Sequence, residues 1–96
     1  MVPVSWTKRS KLDLEDIYRF IAKDSQQYAE IEINDVVQSV GNLGTFPHSG
    51  RRVLEFPNSD YREIISGNYR VIYRLSMKPK RVLIMSVIHA RRSLKL

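Results

Sequence analysis

The sequence predicts an α+β fold, with an antiparallel helical hairpin packed on one face of a mainly antiparallel sheet. Three observations carry this. Apolar residues recur at helical spacing up to Leu43. They switch to alternation from Ser49 onward. A two-residue Gly67-Asn68 break then separates two β-like runs, the signature of a tight hairpin. The predicted order is β-α-α-β-β-β-β, in one domain spanning residues 1–96.

The first element is "VPVSW", Val2 to Trp6, with Pro3 suited to a strand start. Trp6 is expected where the sheet meets the helices. Thr7 can cap the helix that follows. Leu14, Ile17, Tyr18 and Ile21 then give an amphipathic helix over Lys8 to Lys23. In "DSQQ", Asp24 and Gln27 have capping-box spacing and Ser25 is the competing cap. The second helix should bury Ala29, Ile33, Val36, Val37, Val40 and Leu43, and end at Gly44 and Pro47.

The β half begins with "RRVLEF", read as a strand stopped by Pro57-Asn58. "YREIIS" and "YRVIYRL" form the hairpin, "MKPK" turns the chain, and "RVLIMSVIH" is the apolar central strand. A short basic tail, "ARRSLKL", follows. The two-residue turn pairs Ser66 with Tyr69, Ile65 with Arg70 and Glu63 with Ile72. Alternation puts Arg62, Ile64, Tyr69, Val71, Tyr73 and Leu75 on one face, toward the helices. Tyr61, Glu63, Ile65, Arg70, Ile72 and Arg74 share the other. This second face mixes arginines with isoleucines, as a surface meant to be covered would. It is expected to stand open for a partner.

Charge sharpens that expectation. Residues 1–48 hold five Lys/Arg and seven Asp/Glu, a balance of −2; residues 49–96 hold eleven and three, a balance of +8. Such asymmetry fits an acidic or polyanionic partner for the second half. There is no cysteine, which excludes disulfides and thiolate metal sites and fits a cytoplasmic location. The N-terminus lacks a signal-peptide pattern, and no apolar run approaches a membrane span. Two distant histidines suggest no metal site, and no cofactor is expected.

Taken together, "GRRVLEF", "YREIISGNYRVIYRL" and "VLIMSVIHARRSL" resemble the RelE/ParE superfamily of bacterial type II toxin–antitoxin toxins. The resemblance covers nearly the whole chain. It rests on the ordered set Gly50-Arg51, Tyr61-Arg62-Glu63-Ile64, Tyr69-Arg70-Val71 and His89-x-Arg91-Arg92. It implies a RelE-like fold and one of two activities. RelE-like members are ribosome-dependent mRNA endoribonucleases; ParE-like members inhibit DNA gyrase and stabilise plasmids.

Cleavage at a 2′-hydroxyl requires an activated nucleophile, a stabilised phosphorane and a protonated leaving oxygen. Arg70 matches the nuclease arginine, with Arg74 and His89 as companions, but Ile65 and Glu63 stand where nucleases place lysines. The "RRSLKL" ending has no tyrosine, and the "VIHARRSL" pattern resembles the ParE branch. The expected protein is a ParE-like gyrase inhibitor. It is held by an acidic, partly disordered antitoxin segment lying over Glu63, Ile65, Arg70, Ile72, Arg74, Arg91 and Arg92. The alternatives are the nuclease and a non-toxic relative that only binds an antitoxin. Each residue also has a plainer role. His89 can simply cap the sheet, His48 can be a loop residue, and Glu63 can hold Arg70 and Arg74 by ion pairs. Any single arginine can be a solvated charge.

Overall fold

The computed structural model describes residues 1–94. Strand β1 (Val4–Trp6) leads into helix α1 (Lys8–Ala22) and helix α2 (Gln26–Gly41), which ends in a 3-10 turn over Asn42–Gly44. Strands β2 (Arg51–Arg52), β3 (Arg62–Ser66), β4 (Tyr69–Met77) and β5 (Lys80–His89) follow. The sheet order is β1-β5-β4-β3-β2, with β1 parallel to β5 and every other pair antiparallel. The predicted layout is therefore the observed one.

The caps explain where the helices start. The Thr7 hydroxyl accepts the Ser10 amide at 3.2 Å and donates to the Ile84 carbonyl at 2.7 Å, so it also ties α1 to the sheet. Ser25, rather than Asp24, caps α2 by accepting the Tyr28 amide at 3.0 Å. Val36, Val40 and Leu43 then meet Tyr69, Val71, Tyr73, Val82, Ile84 and Val87 in the main core, with Trp6 packed at its border. Val37 departs from the predicted stripe and is 45% exposed, because it lies on the flank of α2 rather than over the sheet.

The hairpin has the predicted register: Ser66 faces Tyr69, Ile65 faces Arg70 and Glu63 faces Ile72. Gly67 takes φ +57° at the first turn position, which a side chain rarely adopts. "MKPK" is the expected turn: Met77 and Lys80 pair and Lys78-Pro79 form its two central residues. The bulge in β5 is new. Ile72 pairs with Ser86 but Tyr73 pairs with Ile84, so Met85 is the extra residue. Alternation restarts there. Val82, Ile84 and Val87 all reach the helix side, while Met85 and Ile88 reach the other.

The predicted strand "RRVLEF" is the main departure. Only Arg51 and Arg52 pair with β3; the chain then turns, with the Phe56 amide bonded to the Val53 carbonyl. Val53 and Leu94 pack on Ile72, with Phe56, Tyr61, Met85 and Ile88 around them. The second sheet face thus has its own small core, built by the loop before β3 and by the C-terminal segment. It is not open at its centre, contrary to the expectation from the sequence. Lys95 and Leu96 of the predicted basic tail lie outside the described residues.

Candidate functional site

Arg70 sits at the centre of this covered face and is 7% exposed. A guanidinium has five N–H donors, and here all five are taken. Nε and Nη2 donate to Glu63 Oε1 at 3.0 and 2.6 Å, and Nη2 also donates to Glu55 Oε1 at 2.8 Å. Nη1 donates to Glu55 Oε2 at 2.8 Å and to the Arg92 carbonyl at 2.7 Å. Glu63 takes two further bonds on Oε2 from Arg51, and Glu55 Oε2 accepts the Leu94 amide at 2.7 Å. A buried cation is thus neutralised by two carboxylates, and the same carboxylates tether the loop and the C-terminal segment.

The electrostatics follow from these contacts. Hydrogen bonds from Arg70 and then from the Leu94 amide hold the Glu55 carboxyl down to about 2. The two carboxylates raise the Arg70 pKa against its own burial.

Glu63 was expected to hold both Arg70 and Arg74. It holds Arg70 and Arg51 instead; Arg74 reaches Asp60 at 3.4 Å. The reason is position: Arg51 lies directly across from Glu63 on β2. Ile72 is 1% exposed and Glu63 2%, so neither is presented to a partner. Ile65 is exposed beyond the covering loop, Arg74 is half-buried, and Arg91 and Arg92 are exposed. The seven residues named as one binding surface therefore divide into a buried clamp and an accessible rim.

The nuclease candidates do not converge either. Arg70 and Arg74 are on the covered face, while His89 pairs with Tyr69 on the helix side. The His89 ring meets Tyr69 edge-on at 5.7 Å, and its Nδ1 accepts the Arg91 amide at 3.2 Å. His48 lies in the exposed turn before β2.

A feature that the sequence reading missed lies along the outer edge of β5. Strand β1 covers only Val82 to Ile84. Beyond them, the Asp13 carboxylate of α1 stands in for a strand and accepts the Val87 amide at 2.9 Å and the Ser86 hydroxyl at 2.8 Å. The space between α1 and the end of β5 is a groove of about 1220 Å³. Ile17, Phe20, Met85 and Ile88 give it apolar walls, and Arg9, Arg91 and Arg92 line it as well. Phe20 is 71% exposed there, off the periodic stripe that defined the buried face of α1.

The model of the family described as the ParE toxin of the type II toxin–antitoxin system parDE matches residues 4–94. The chain belongs to the ParE toxin family. The match spans β1, both helices and the whole β half. The fold is shared with solved toxin–antitoxin proteins. One is from the chromosomal ParDE system of P. aeruginosa, at 20% identity and TM-score 0.78, covering 95% of this chain and 98% of that one. Another is from the RelBE2 toxin–antitoxin complex of Mycobacterium tuberculosis, at 22% identity and TM-score 0.67, covering 92% and 96%. No curated protein matches the sequence significantly. ParE-like and RelE-like neighbours both share this fold, so a choice between the two activities has to come from side chains.

Proposed function

We propose that the protein is a toxin that acts by binding rather than by cleaving RNA, with DNA gyrase as its target and an acidic antitoxin segment as its inhibitor. One observation carries the choice: every donor of Arg70 is already bound within the chain. An arginine so committed offers no N–H to a phosphorane, and releasing it would strand two carboxylates. The placement of His89 on the opposite side of the sheet from Arg70 and Arg74 supports the same reading.

The antitoxin seat is the groove beside β5 rather than the centre of the covered face. Phe20 and Ile17 offer an apolar wall to an amphipathic segment, and Arg91 and Arg92 offer charge to its carboxylates. A disordered partner can follow such a groove over a long path.

The test is to add the purified chain to DNA gyrase and, separately, to a translating extract. Supercoiling should stop in the first, and mRNA should stay intact in the second. Codon-positioned cuts on ribosomes with normal supercoiling would overturn the reading. For the seat, Phe20→Asp should weaken a cognate antitoxin peptide about tenfold or more, as loss of a central apolar anchor does. Ile65→Asp should change it much less; the reverse result would return the antitoxin to the covered face.

A further inference from the structure

From Ile64 to the C-terminus the chain contains no acidic residue. Arg70 is neutralised there by Glu55 and Glu63, drawn from earlier in the chain. The β4–β5 hairpin tip has no such supply. Arg74 and Arg81 share the covered face's outer end, beyond the small core that the loop builds, with Ser76 paired to Arg81 and Leu83 paired to Arg74. Exposed Lys78 completes the tip from the turn, while Lys80, paired with Met77, alternates to the other face. Asp60 is the one carboxylate that reaches this group among the described residues, at 3.4 Å from Arg74.

Both arginines also carry an unmet donor. Their Nε–H groups are buried and have no acceptor among the described residues. Buried donors are normally satisfied. The rest of each side chain is half-exposed, so a docking oxyanion offsets their charge from outside while the Nε–H groups themselves stay closed to solvent.

We infer that the outer end of the sheet, with Arg74, Arg81 and the turn residue Lys78, is a docking surface for the phosphate backbone of duplex DNA. Apart from Asp60 at its edge, the row is positive, which suits a polymer with repeated charge better than one anion. An acidic protein would want an apolar or aromatic anchor at the centre of its interface. Here the residue between the two arginines is Ser76, and Leu83 is half-buried. Interfaces with DNA are more polar and more positive, and phosphate contacts do not need base readout. Single strands would need stacking platforms; the exposed aromatic residues Phe20, Tyr28 and Phe46 belong to the helices and the loop after them. This surface does not overlap the Arg70 clamp or the groove beside α1, and it does not depend on which enzyme the toxin inhibits.

The test uses the isolated full chain and a short labelled DNA duplex across a salt series, with no gyrase or antitoxin present. Wild type should bind, without sequence preference. Arg74→Gln with Arg81→Gln should lose about tenfold or more at low salt, and the log–log salt slope should fall by about 2, near 0.9 for each lost phosphate contact. Lys8→Gln with Lys23→Gln, an equal loss of charge on the helices, should keep that slope. Thermal melting should be unchanged in both pairs, which separates lost binding from lost folding. Equal binding by the Arg74/Arg81 variant would overturn the inference. So would wild-type binding to a poly-glutamate peptide as tight as to the duplex, which would assign the surface to an acidic protein.

Discussion

Arg70 and Arg74 stand four residues apart on the same strand and the same face, yet they live in different electrostatic worlds. Arg70 gives five hydrogen bonds to two carboxylates and a carbonyl and is closed to solvent. Arg74 has one long contact to Asp60, and its Nε is buried without an acceptor. The difference comes from what the rest of the chain lays over each end of the sheet. The loop after Arg52 and the segment ending at Leu94 converge on Arg70, whereas Arg74 receives only the Asp60 carboxylate at the loop's far end. Surplus positive charge near a sheet thus says little about function until its partners are located. One end of this face is structural, and the other is available.

The largest test of that contrast is Arg70→Ala. It leaves Glu63 buried with Arg51 alone and frees Glu55 from its main partner. Stability should fall by about 3–5 kcal/mol, as when one member of a buried ion pair is deleted. Urea unfolding would measure it. Arg70→Lys should recover little of the loss, because a lysine lacks the planar fork that reaches both carboxylates. A folded Arg70→Ala variant with wild-type stability would show that the clamp is dispensable.

Leu94→Ala comes next. It removes the residue that the C-terminal segment buries against Val53 and Ile72. The expected cost is about 2 kcal/mol, at the low end for a buried leucine because Leu94 keeps 7% of its surface exposed. Faster hydrogen exchange at the Leu94 amide should accompany it.

Acid should have a somewhat smaller effect through Glu55. Its folded pKa, about 2, lies below the ordinary 4.5. The stabilisation is therefore fully present above pH 4.5 and is lost as pH falls from there toward 2. After allowance for partial exposure, about 1–2 kcal/mol should disappear over that window. Glu55→Gln should flatten this part of the stability–pH curve; an unchanged curve would mean that the carboxylate is not held by Arg70 in solution.

Arg74→Gln should have the smallest effect on folding, under about 0.5 kcal/mol, since its contact to Asp60 is long and solvent-screened. A loss as large as that of Arg70→Ala would abolish the distinction between the two ends of the face.

The sequence by itself determined the order of elements, the hairpin register and which residues share a face. These are local properties. A glycine at the first position of a two-residue turn sets the pairing, and strict alternation then assigns every side chain from Arg62 to Leu75. The RelE/ParE resemblance was legible for a related reason, since it rests on motifs laid along this same ladder. Even the need for a cover was visible, because both faces of the hairpin carry large apolar residues. What the cover is was decided only by the tertiary structure. Val53, Glu55 and Leu94 come from stretches with no sustained period, and their contacts with β4 close loops that no spacing rule reports. The bulge at Met85 is likewise invisible in "RVLIMSVIH", where the run Val82 to Met85 is apolar throughout and either alternation reads equally well. Glu55 is one of three acids among the eleven Lys/Arg of residues 49–96, and folding makes it the partner that closes the guanidinium of Arg70. The physical reason is that a buried charge must be matched in space, and the chain is free to supply that match from any distance along its length.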